Sequence, residues 1–225
     1  MSRYVKATAG MNHSVIYTAD SGKHFRFSGG TLAWRNHNPG NAYPGHISKK
    51  HNQIGTAYKL AVFPDYESGH EALLDVLKIT YGNYSIDQMM RKYAPPHENN
   101  TKKYIKFLHD LTGVTDNKKI KNFTPAEFKK LWKGIEKMEA SKEGSIIEVF
   151  QVTQVRINKN GVIFSFCIGD DWISKEQCIK LAKQGLVDLE VCISHLGNTF
   201  LRTSYGTAFQ EKLDSIIDKK YKGKK

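Results

Sequence analysis

Apolar and polar positions change their period twice along the chain. Up to about residue 62 there is no sustained period: the text is rich in Gly, Asn, His and Ser, with short apolar pieces such as HSVIY and YKLAVF. That texture predicts loops and short hairpins, poor in strands. From Ser68 the spacing becomes helical, and the helix starts are written as capping boxes, Ser68 with Glu71 ahead of EALLDVLKITYG and Ser85 with Gln88 ahead of IDQMMRKYA. Pro95-Pro96 breaks the run, Asn99 or Asn100 is placed to cap TKKYIKFLHDL, and Gly113 can take the left-handed turn that ends it. Thr124-Pro125-Ala126-Glu127 combines a capping box with proline at the first helical position and opens EFKKLWKGIEKME.

After the small, polar stretch ASKEGS at 140 to 145, which reads as a linker, the period becomes two. IIEVFQVTQVRI and VIFSFCI flank Lys159-Asn160-Gly161, and Asn-Gly between alternating runs is a strong hairpin signal. Ser174 and Gln177 cap a helix that ends near Gly185, and DLEVCIS and TFLRTS pair across Gly197-Asn198. The expected architecture is α+β. A mainly α-helical domain spans 1–140, and a small α+β domain of two β-hairpins and one helix spans 146–225 and carries a basic tail.

Composition narrows the function. The net charge is +12, from 34 Lys plus Arg against 22 Asp plus Glu, which favours polyanionic partners such as nucleic acid, anionic lipid or a bacterial wall. Residues 1 to 150 carry 22 basic and 14 acidic groups and residues 151 to 225 carry 12 and 8, so no single stripe gathers the excess. Nucleic acid therefore ranks last among the candidate partners. DKKYKGKK is the one dense cluster and reads as a solvated terminus. No apolar run is long enough to span a bilayer, and MSRYVKATAGMNHSVIY lacks the order of a secretory signal. Cys167, Cys178 and Cys192 have neither disulfide-framework nor zinc spacing and read as small apolar residues. No metal-ligand or nucleotide motif occurs, so no cofactor is expected.

Three polar stretches escape these periods: WRNHNPGN at 34 to 41, FPDYESGHEAL at 63 to 73, and KYAPPHENNTKKY at 92 to 104. Asn36, Asn38 and Asn41 suit sugar hydroxyls and N-acetyl groups because an amide both donates and accepts, although Asn also tolerates left-handed turns around Pro-Gly. Trp34 or Tyr93 can stack on a pyranose face. Arg35 suits a wall carboxylate, or equally an ion pair with Asp65 or Glu67. Glycan cleavage needs a carboxylic acid kept neutral by a partly apolar setting. The candidates are Glu67, beside Phe63 and Tyr66, and Glu98, in a Pro-rigid loop next to Asn99, whereas Glu71 is explained by capping.

The same residues carry a resemblance. Trp34-Arg35-Asn36 with Asn38-Pro39-Gly40-Asn41, then Phe63-Pro64 with Tyr66-Glu67 and Gly69, then Tyr93-Ala94-Pro95-Pro96 with Glu98-Asn99 and Thr101, together resemble a phage and bacterial family of lysozyme-like, cell-wall-degrading proteins. The order of parts also resembles the later portion of autolysin-type glucosaminidases. Those enzymes and lytic transglycosylases take their catalytic glutamate from an early helix, and here residues 1 to 41 hold only Asp20 and no Glu. The resemblance implies a lysozyme-like fold for the first domain. It implies peptidoglycan glycan cleavage, by hydrolysis or lytic transglycosylation, and leaves the acid unassigned; the residues' own chemistry makes Glu67 and Glu98 the catalytic candidates and Trp34, Arg35, Asn36, Asn38, Asn41, Tyr66, Tyr93 and Asn99 the substrate-binding ones. It also implies synthesis in the cytoplasm and delivery to the periplasm by phage structure or a secretion machine, with that machine and an inhibitor protein as candidate partners. The alternative is a non-catalytic, wall-binding or structural protein. Val152-Thr153-Gln154-Val155-Arg156 and Leu201-Arg202-Thr203 resemble a small bacterial domain of uncharacterised function.

Overall fold

The computed structural model describes residues 3–97, 100–115, 117–139, 141–187, 189–203, 213–219 and 221. In chain order the elements are β1 (Tyr4–Ala9), β2 (Val15–Ala19), β3 (His24–Ser28), α1 (Leu32–Arg35), α2 (His46–Lys50), β4 (Gly55–Ala57), β5 (Leu60–Val62) and α3 (Tyr66–Asp75), which runs into a π-helical turn (Val76–Thr80). There follow α4 (Ile86–Tyr93), α5 (Thr101–Thr112), a 3-10 turn (Ile120–Asn122) and α6 (Pro125–Glu139). The chain continues with β6 (Ser145–Val149), β7 (Val152–Ile157), β8 (Ile163–Ile168), β9 (Asp171–Ser174), α7 (Lys175–Lys183), β10 (Leu189–Ile193), β11 (Thr199–Thr203) and a 3-10 turn (Leu213–Ile216).

With seven α-helices and eleven strands among the described residues, the protein is mixed and sheet-rich, which corrects the expectation of a mainly helical, lysozyme-like first domain. The first residues are the reason. YVKATA, VIYTA and HFRFS form an antiparallel meander, β1 to β2 to β3. Its turns use Asn12 (φ 51°) and His13 (φ 57°) and then Gly22 (φ 81°), positive-φ positions that residues of these types tolerate. Tyr4, Tyr17 and Phe27 pack ring against ring, with centroids 4.7 Å apart for Tyr4 and Tyr17 and 4.5 Å for Tyr17 and Phe27. The turn residues that made this stretch look irregular are what allow three short strands to fold back on themselves.

The chain divides into two compact units, 30–144 and a second made of 1–29 together with 145–225. In the second, β3 pairs with β6, Phe25 opposite Glu148 and Phe27 opposite Ile146, a partnership across more than a hundred residues that no local pattern announces. Arg26, buried, donates from Nη1 to the Gly185 carbonyl and from Nη2 to that of Val187. The later hairpins form as their turns direct: β7 with β8 and β8 with β9, and separately β10 with β11. Val152, Val155, Phe166, Cys178, Ala182, Val187, Leu189 and Leu201 fill the core beneath α7. Ser174 and Gln177 cap that helix reciprocally.

The unit 30–144 is built on α3 to α6, whose apolar faces meet in a core that includes Leu77, Met89, Met90, Leu108, Leu131 and Ile135. Ser85 with Gln88 and Thr124 with Glu127 close their capping boxes. At α3 the start is earlier than the capping pattern suggested: the Asp65 carboxylate accepts from Ser68 N at 2.8 Å, so Asp65 is the cap and Glu67 lies in the first turn. Among the described residues no helix is long and apolar enough to cross a membrane.

Candidate functional site

The asparagine-rich loop is held by its own amides. Asn38 is fully buried; its Nδ2 donates to the carbonyls of Ala42 and Ala61, each at 2.9 Å, and its Oδ1 accepts from Ala42 N at 2.8 Å. Asn36, equally buried, donates from Nδ2 to the Ala57 carbonyl at 3.4 Å, and its backbone carbonyl accepts from Phe63 N at 3.0 Å. Both amides therefore substitute for strand-like pairing and fasten the loop to β4 and β5. His37 (φ 49°) and Asn41 (φ 45°) make the left-handed corners.

The second motif packs directly on the first. A Cβ on Gly69 would fall 1.8 Å from the His37 carbonyl oxygen, and one on Gly40 would fall 2.6 Å from Leu73 Cδ1. Gly69 thus lets α3 meet the loop backbone to backbone, and Gly40 lets the loop close on the Leu73 side chain. His37 Nδ1 lies 3.2 Å from the Phe63 carbonyl, and burial lowers the pKa of that imidazole. The third motif closes on the same place: Tyr93 donates its hydroxyl to the Gly40 carbonyl, and Thr101 donates to that of Ala94. The three polar stretches are neighbours in the fold.

Beside the first and third of them opens a cleft of about 520 Å³, lined by residues 40–43 and 45–48, by Val76 and Thr80 of the π-helical turn with Tyr81, and by residues 92 to 95; the second stretch contributes no lining residue. The acid in this cleft is Glu139, on the last turn of α6. Asn41 donates from Nδ2 to its Oε2. Burial pushes the Glu139 carboxyl above the usual glutamate value, outweighing the opposing hydrogen bonding from Asn41 and the influence of Tyr104. The Tyr104 hydroxyl, near that carboxyl, lacks an aligned hydrogen bond. Burial, reinforced by the Glu139 charge, raises both Tyr93 and Tyr104, so these phenols stay protonated donors at any ordinary pH. Tyr43 is 70 % exposed at the rim, where His46 and Lys92 are also exposed. Lys92 Nζ sits 5.4 Å from the centre of the Tyr84 ring. Among the described residues no group of three or more His, Cys, Asp or Glu side chains is arranged to hold a metal ion.

Of the residues singled out from sequence, the cleft brings together Asn41 and Tyr93. Glu67 is exposed in the first turn of α3, favourably placed against the helix dipole, and is not part of the cleft lining. Asn36 and Asn38 are sealed from solvent, so their part is to shape the loop. Trp34 and Arg35 are half-buried on α1, away from the lining, with Arg35 Nη1 donating to the Gly30 carbonyl at 2.9 Å. Tyr66 gives its hydroxyl to Glu136 Oε1 at 2.7 Å. Glu98 and Asn99 lie outside the described residues.

Glu139 escaped sequence reasoning because it closes an ordinary amphipathic helix far from any motif. One signal was present: a carboxylate in the last turn opposes the helix dipole, so its position there calls for another reason. No family model, curated protein or solved structure matches the chain, so the family resemblance rests on the three motifs alone.

Proposed function

We propose that the protein cleaves the glycan strands of peptidoglycan, with Glu139 as the proton donor. The observation that supports this most is the Glu139 carboxyl in a cleft of sugar-subsite size, held by Asn41 and made a better proton carrier at neutral pH by burial. In the first step the protonated carboxyl gives its proton to the glycosidic oxygen, and the C1–O bond breaks as positive character builds on the ring. Tyr43 and Tyr81 offer apolar faces to the pyranose, and Lys92 supplies a cation for the lactyl or peptide carboxylates that a wall glycan carries.

Glu139 is the single carboxylate lining the cleft among the described residues, so it also serves the second step. As carboxylate it takes a proton either from an attacking water, giving a reducing end, or from the sugar's own C6 hydroxyl, giving a 1,6-anhydro end. Either route returns Glu139 to its acid form. The excess of positive charge suits an anionic wall, reached by way of a phage structure or secretion machine.

The test is release of soluble fragments from purified sacculi by the full chain, with fragment masses identifying the new ends. Glu139→Gln lowers release by about 10²- to 10⁴-fold while leaving sacculus binding in place and the chain folded, with a melting temperature no lower than that of the wild type. Release undiminished in Glu139→Gln refutes the assignment, and binding without release by the wild-type chain refutes catalysis altogether.

A further inference from the structure

A second cavity, of about 550 Å³, lies in the unit formed by 1–29 and 145–225, against β7 and β9. Alternation along β7 sends Val155 into the core and leaves Gln154 and Arg156 on the other face, next to Trp172 of β9. The segment after the last 3-10 turn lies alongside: Asp218 N bonds to the Val155 carbonyl at 2.8 Å, bringing Ile217, Asp218 and Lys219 to the cavity.

Arg156 is arranged unusually for a surface arginine. Its guanidinium carbon stands 3.7 Å from the centre of the Trp172 ring and 4.8 Å from that of Tyr221, and its Nε donates to Asp218 Oδ2 at 3.1 Å. Aromatic stacking and one carboxylate thus fix the plane and rotation of the fork before any ligand arrives. Among the described residues the two Nη groups have no hydrogen-bond partner, and the side chain keeps 28 % of its surface exposed. A pre-oriented pair of N–H donors beside a cavity, with Lys219 and the Gln154 amide at its edge, matches a planar or tetrahedral group of acceptor oxygens.

The geometry points to an oxyanion-binding site at Arg156, which takes a carboxylate or phosphate group of a ligand on its Nη edge while Trp172 and Ile217 cover the ligand's apolar part. This site is independent of the Glu139 cleft and of its chemistry. A purely structural stack would satisfy the aromatic contacts and the Asp218 bond, and would be indifferent to added anions.

Calorimetric titration of the full chain with N-acetylalanine and with inorganic phosphate, using N-acetylalaninamide as the uncharged control, separates the two oxyanion sources. The expected result is saturable binding of at least one anion and none of the amide. Arg156→Lys, which keeps the charge and loses the fork, weakens that binding by about tenfold or more, and Arg156→Gln removes it. Arg156→Lys remains decisive if Arg156→Gln does not fold. Anions that bind no better than the amide, or bind Arg156→Lys as tightly as the wild type, overturn the assignment.

Discussion

Two glutamates one turn apart on α6 meet opposite environments. Glu136 accepts from the Tyr66 hydroxyl at 2.7 Å and pairs with His70 Nδ1 at 2.8 Å, so its carboxylate is well supplied with donors and ties α6 to α3. Trp132 packs edge-on against that His70 ring with centroids 4.7 Å apart, and Tyr66 stacks on it at 6.0 Å. Glu139 has Asn41 as its aligned donor, lies in the cleft, and has its proton affinity raised by burial. The helix supplies only the pitch. Glu136 serves to tie α6 to α3, whereas burial in the cleft raises the proton affinity of Glu139 and fits it to carry a proton to a substrate.

The sharpest way to break this contrast is to neutralise each glutamate in turn. Glu139→Gln is expected to lower fragment release by about 10²- to 10⁴-fold, the range of a lost general acid, whereas Glu136→Gln retains release within about tenfold. Equal losses would mean that the two sites are not distinct. Next in size is Asn38→Ala, which strands buried groups of Ala42 and Ala61; urea titration should show a loss of about 3 kcal/mol with an unchanged denaturant slope. Glu136→Gln itself should cost about 1–2 kcal/mol in the same assay, since it weakens charge-assisted bonds to Tyr66 and His70. Asn41→Ala removes a bond that favours the charged form of Glu139, so the alkaline limb of kcat/KM should move to higher pH.

The smallest effect concerns stability. Glu139 binds its proton more tightly in the folded chain than in the unfolded one. Its contribution to stability is therefore complete below the unfolded value and is lost as pH rises through the folded one. Melting curves of Glu139→Gln should lack that decline and lie above the wild type at neutral pH.

What could be read from sequence was what local chemistry encodes. The boxes at Ser85, Thr124 and Ser174 needed only residues three apart, and the hairpins of the last third needed only a turn between alternating runs. At α3 two capping residues competed three positions apart, and Asp65, not Ser68, became the cap. In the first 29 residues the turn residues suggested no more than short hairpins among loops and masked a continuous three-stranded meander, and the pairing of β3 with β6 has no local signal. The three motifs do lie against one another, Gly69 at the His37 carbonyl and Tyr93 bonded to that of Gly40, but the cleft takes its lining from the first and third and none from the second. Their residue types did not reveal roles. An amide that suits a sugar hydroxyl suits a buried carbonyl equally well, and Asn36 and Asn38 took the second use while Asn41 took neither, turning to Glu139. The acid itself lay about a hundred residues from that loop, on a helix end, where only folding could place it.

The central claim is a protonation state, and it can be observed at the atom concerned. Carbon-13 NMR titration of the glutamate side-chain carboxyls, with the Glu139 signal assigned by its absence in Glu139→Gln, should find that carboxyl titrating above the ordinary glutamate value. A Glu139 carboxyl that titrates at or below that value would contradict the account.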